Sequence, residues 1–156
     1  MQSNETEKQY NELKKKFRLP EFRDINNEFE LSDLEETSFL LRNIIRRIAE
    51  KLDFYTTVVE GVLQPDASSL HTIHETRFFD QDEKNKMYDT YRKLMNFNRM
   101  SIEISLEPNE KDEAQLICDF FDKWKEIKHE LLRYAKKMKD SWKTETDIKE
   151  DLGYLG

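Results

Sequence analysis

Glycine and proline are scarce in this chain, with three of each in 156 residues, and there is one cysteine. A sandwich or barrel of many short strands needs frequent turns, which draw on those two residues, so an all-β fold is excluded. No apolar run approaches the roughly 18 uninterrupted residues of a membrane span. The opening stretch MQSNETEKQY has no apolar signal core and is not acid-poor like a transit peptide. The expectation is a cytoplasmic protein with no membrane partner. Cys118 cannot form an internal disulfide, which agrees with a reducing compartment, and its setting LICDFF reads as a core thiol rather than a nucleophile. Gly61, Gly153 and Gly156 are isolated, so no glycine-rich phosphate loop exists, and no Gly-x-Ser-x-Gly elbow is present.

Charge and aromatic side chains are plentiful. Charged residues make up 38% of the chain, with 33 acidic against 26 basic for a net charge of −7, which argues against general nucleic-acid binding. Ten phenylalanines supply a core, so the high polarity belongs to solvated helix faces rather than to disorder. The charge is unevenly placed. Residues 21–36 hold seven carboxylates and one arginine, whereas residues 123–143 hold eight basic and three acidic side chains. Opposite signs suggest that the two regions meet, within one chain or across a dimer. The bland alternative is that each is an ordinary solvated helix face.

Pro20, Pro65 and Pro108 separate periodic segments, because proline lacks an N–H and disfavours helix just before it. Residues 5–17 predict a short helix with Tyr10, Leu13 and Phe17 on one side. The stretch LPEFRDINNEFEL reads as an extended strap. Ser32-Asp33-Leu34-Glu35 is a capping box that predicts a helix of roughly 30 residues running to Pro65. Gly61, near its end, marks a frayed last turn or a close helix contact. DASSLHTIHETRFF predicts a short helix capped by Asp66 or Ser68, and a second box, Asp80 to Glu83, opens another helix. Residues 97–106 alternate like a strand, but a lone strand lacks a partner, so continued helix is favoured. After Pro108, acidic first turns and basic last turns match a helix dipole. Phe120, Trp124, Ile127, Leu131, Tyr134 and Met138 follow 4-3-4-3-4 spacing, the seam of a long helix contact. Residues 144–156 read as a polar, flexible tail ending in Leu152, Tyr154 and Leu155.

The fold class expected is all-α: an antiparallel up-down bundle of three long helices with a short N-terminal helix and an extended strap, as one domain over 1–143. Candidate metal ligands are His71, His74 and Glu75, two imidazoles at i and i+3, and Glu126 with His129, the Glu-x-x-His spacing of carboxylate metal sites. Only one such motif occurs, so surface or cap histidines are the simpler reading, and no cofactor is implied. Arg42, Arg46, Arg47, Arg92, Lys93 and Arg99 could form an anion site or pair with neighbouring carboxylates. Trp124, Trp142, Lys136 and Lys137 are candidate interaction residues, since large aromatics and uncompensated charge favour partner binding. The functional expectation is a non-enzymatic protein-interaction or structural module, binding a protein partner or itself as a homodimer. The alternative is a metal-dependent or nucleotide-handling enzyme with a carboxylate and histidine site.

Overall fold

The computed structural model describes residues 2–143; the 144–156 tail lies outside the described residues. Every regular element among the described residues is helical: α1 Gln2–Phe17, α2 Phe22–Phe29, α3 Leu40–Leu63, α4 Leu70–Thr76, α5 Gln81–Leu106 and α6 Glu110–Ser141, with a 3-10 turn at Leu31–Asp33.

Three boundaries differ from the sequence reading. The expected strap is helix α2, because Phe22, Ile25 and Phe29 fall at i, i+3, i+7 and are all buried on one side. Eight residues give too short a window for that period to stand out beside Pro20. The box at Ser32 does not start a helix. Its backbone N–H and hydroxyl both donate to Asn26 Oδ1, at 2.8 and 3.0 Å, and this locks the 3-10 turn after α2. α3 begins at Leu40, where Asn43 Nδ2 donates to the carbonyls of Glu36 and Ser38 and gathers the loop against the first turn.

The second box forms as expected. Glu83 N donates to Asp80 Oδ1 at 2.8 Å, and Asp80 N donates to Glu83 Oε1 at 3.2 Å. α4 instead starts after Ser69, whose side chain makes no cap bond, while Asp66 accepts from the backbone and hydroxyl of Ser68 in a local turn. These two bonds hold the exposed Asp66 carboxyl below its ordinary range. Residues 97–106 are helix. Ser101 and Ser105 each donate to the carbonyl three residues back, and Ile102 is exposed, so the alternation does not record burial. Asn109 Oδ1 accepts from Asp112 N at the start of α6.

The described chain forms two compact units. The first runs to Phe54 and adds Leu94–Lys125. Its core joins Tyr10, Ile25, Leu31, Ile44, Ile48 and Ile117, with an aromatic chain in which Phe120 lies 4.7 Å from Phe97 and 5.5 Å from Trp124. Tyr10 donates to the Pro20 carbonyl at 2.6 Å, tying α1 to the chain before α2, and burial pushes its phenol upward. Cys118 is half-buried rather than fully enclosed, near the Arg18 carbonyl, and desolvation raises its thiol, which lowers its reactivity.

The second unit comprises Tyr55–Lys93 and the chain from Glu126 onward. Val59, Val62, Phe79, Met87, Tyr134 and Met138 make its core. A Cβ at Gly61 would stand 3.1 Å from Thr72 Cγ2, so this glycine serves a close approach of α3 and α4. Tyr134 shares a hydrogen bond with Thr90 at 3.1 Å and donates to Glu130, and burial raises its phenol.

Candidate interaction face

The helical period of α6 sorts its side chains. Phe120, Trp124, Ile127, Tyr134 and Met138 are buried along the seam expected from their spacing. Trp124 donates to Glu28 Oε2 at 2.8 Å and packs its ring, tilted, against Phe29 at 5.2 Å, so it is a core residue and presents no docking surface. Within the second unit a different flank carries Lys128, Leu132, Lys136 and Lys139. They recur at 4-4-3 spacing, all exposed, and Lys143 follows in the next turn. Asp140 borders this flank and meets Lys143 at 3.9 Å, whereas Glu126 and Glu130 fall on the other side, where Glu126 meets Lys93 at 3.3 Å and Glu130 meets Arg133 at 3.7 Å.

The two neighbouring lysines singled out from sequence have separate positions. Lys137 pairs with Glu83 and stands 5.3 Å from the Phe79 ring centre, so it ties α6 to the start of α5. Lys136 points out and forms no ion pair among the described residues. Leu132, half-exposed at 50%, supplies the one large apolar side chain on the lysine row, a residue the sequence reading passed over because it stands one position beyond the seam residue Leu131.

His74 is buried, with Nε2 3.1 Å from the Ser141 carbonyl and its ring 4.0 Å from that of Trp142. A carbonyl only accepts, so Nε2 carries the proton. Trp142, 49% exposed, donates to Glu75 Oε2 at 3.0 Å. His71 is exposed beside Ser69 Oγ at 3.1 Å, and His129 is exposed on α6. Thus the structure brings His74, Glu75 and Trp142 together as a packing cluster. Among the described residues no three His, Cys, Asp or Glu side chains converge where they could hold a metal. Of the basic residues considered for an anion site, Arg46 reaches Asn43 Oδ1 at 3.4 Å, Arg47 reaches the Glu30 carbonyl at 3.3 Å, and Arg99 reaches Asn98 Oδ1 at 2.7 Å.

A cleft of about 620 Å³ opens in the first unit, lined by Leu13, Lys16, Phe39, Arg42, Asn109 and Glu113. Glu113 is buried, and its Oε2 lies 3.5 Å from Arg42 Nε, close enough for an ion pair although neither atom makes a hydrogen bond. Burial raises the Glu113 carboxyl and Arg42 partly opposes the shift. The Arg42 guanidinium stands 4.6 Å from the Phe39 ring centre. Phe39 is 70% exposed with φ 54°, a left-handed conformation that Cβ disfavours. No sequence signal marks it, since phenylalanine is not a residue expected there.

No family model, curated protein or solved structure matches this chain.

Proposed function

We propose that this chain is a non-enzymatic helical interaction module that docks an acidic protein surface on the exposed flank of α6. The observation that carries the reading is the exposed row Lys128, Leu132, Lys136 and Lys139, bordered by the one carboxylate of Asp140, in a chain of net charge −7. A one-sign row attracts an acidic partner and sets its register, and the exposed leucine adds an apolar contact at its centre. The enzymatic alternative draws less support, because His74 and Glu75 are engaged by Ser141 and Trp142.

We also propose that α3, α5 and α6 form an antiparallel up-down bundle. What supports it is the descending and ascending order of the α5 and α6 partners: Phe97 with Phe120, Lys93 with Glu126, Thr90 with Tyr134 and Glu83 with Lys137.

The test is titration of deca-glutamate into isotope-labelled protein, followed by amide chemical shifts. Shifts concentrated at 128–143 in about 20 mM salt, and lost at about 500 mM where screening is short-ranged, are expected. Shifts elsewhere, or none, overturn the docking reading.

A further inference from the structure

We infer that the cleft of the first unit is a binding site for a small amphipathic carboxylate, whose charged end pairs with Arg42 and whose apolar body lies against Phe39 and Leu13. Every residue that lines the cleft belongs to that one unit, and its volume of about 620 Å³ is that of a small-molecule site. Three parts of the chain meet there: α1 with Leu13 and Lys16, the entry to α3 with Phe39 and Arg42, and the entry to α6 with Asn109 and Glu113.

Two features of the cleft cost stability. Glu113 is only 3% exposed, yet its Oε2 and Arg42 Nε make no hydrogen bond, and buried polar atoms left in that state carry their full desolvation cost. Phe39 holds its left-handed φ of 54° while 70% of its surface faces water, so neither backbone preference nor burial accounts for an aromatic ring at this position. Both features bear on one group. Arg42 Nε lies 3.5 Å from Glu113 Oε2, and its guanidinium carbon stands 4.6 Å from the centre of the Phe39 ring.

That arrangement sets the charge of the ligand. Glu113 and Phe39 hold the guanidinium through Nε and one of its faces, while neither Nη group has a hydrogen-bond acceptor among the described residues. A fork of two donors fits a carboxylate, and because the ring contact already fixes its plane, little side-chain freedom is lost on binding. The first turn of α3 has no acidic residue, and the positive end of a helix favours an anion. Glu12 and Glu110 also line the cleft, but both are exposed and screened by solvent, and Lys16 offsets one of them. The rest of the Phe39 ring and the half-buried Leu13 supply the apolar wall.

Titration of phenylacetate into the isotope-labelled full chain, followed by amide chemical shifts, tests this beside two probes that keep the ring and change the head group, neutral phenylacetamide and cationic phenethylammonium. Saturable shifts at residues lining the cleft are expected, with a Kd near or below about 1 mM for phenylacetate and binding about tenfold weaker, or none, for the other two. Each variant is first matched to the wild type in helix content by circular dichroism. Glu113→Gln removes the neighbouring like charge and keeps Arg42, so it should bind phenylacetate at least as tightly. Adding Arg42→Gln to it takes away the second half of the pair without leaving a lone buried charge, and should weaken phenylacetate about tenfold relative to Glu113→Gln alone. Phe39→Gly should weaken it about fivefold through loss of the ring. No saturable shift in the wild type, shifts confined to residues outside the cleft, an affinity for the amide or the ammonium that equals or exceeds that for phenylacetate, or binding that is unchanged by the loss of Arg42 overturns the inference.

Discussion

His74 Nε2 donates to the carbonyl of Ser141, the last residue of α6, across 67 positions of sequence at 3.1 Å. Helix ends leave carbonyls without intrahelical partners, and this one is satisfied by a buried imidazole that also supports the Trp142 ring.

Removing that ring should therefore be costly. His74→Ala is expected to lose about 2 to 3 kcal/mol through lost packing and an unsatisfied buried carbonyl, and to shift the fluorescence of Trp142. His71→Ala, at an exposed position, should remain within about 0.5 kcal/mol of wild type. Urea denaturation read by far-ultraviolet dichroism decides it: equal midpoints for both variants would show that the imidazole is not structural.

Adjacent lysines should behave oppositely. Lys137→Glu sets a carboxylate against Glu83, itself half of the box that opens α5, and is expected to destabilise by about 1 to 2 kcal/mol. Lys136→Glu should leave the urea midpoint nearly unchanged. A reversed order would contradict the rotation of α6 described here.

Stability at Glu113 should depend on pH with a definite sign. Its carboxyl is raised in the folded chain, so folding favours the protonated form; the benefit is present below the unfolded value, about 4.5, and declines as pH rises through the folded one. Glu113→Gln should match the wild type near pH 4 and become progressively the more stable of the two as pH rises. Thermal melts across that window check this, and a deficit of the Gln variant that grows with pH would refute it.

Phe39 offers a test of stored strain. Glycine adopts φ 54° without a Cβ penalty of about 1 kcal/mol, and Phe39 is mostly exposed, so Phe39→Gly should be as stable as wild type or slightly more so. Phe39→Val, β-branched and stiff, should lose about 1 to 2 kcal/mol. If the Gly variant proves less stable than the wild type by urea midpoint, the Arg42 stack outweighs the strain.

Short-range chemistry was legible in the sequence. The Asp80 box, the proline breaks and the 4-3-4-3-4 seam of α6 depend on neighbours within a turn or two, so their residues carry the instruction themselves. Tertiary structure decided everything that required a distant partner. Ser32 has the spacing of a cap, yet its hydroxyl goes to Asn26, because α2 forms and brings that amide to it. Lys136 and Lys137 are equivalent in composition, and only the position of Glu83 makes one a structural tie and the other a free charge. His74 looked like a ligand or a surface residue until the end of α6 arrived above it with a carbonyl in need of a donor. Periodicity selects the face a residue occupies, but what occupies the space opposite that face is set by packing between segments far apart in the chain.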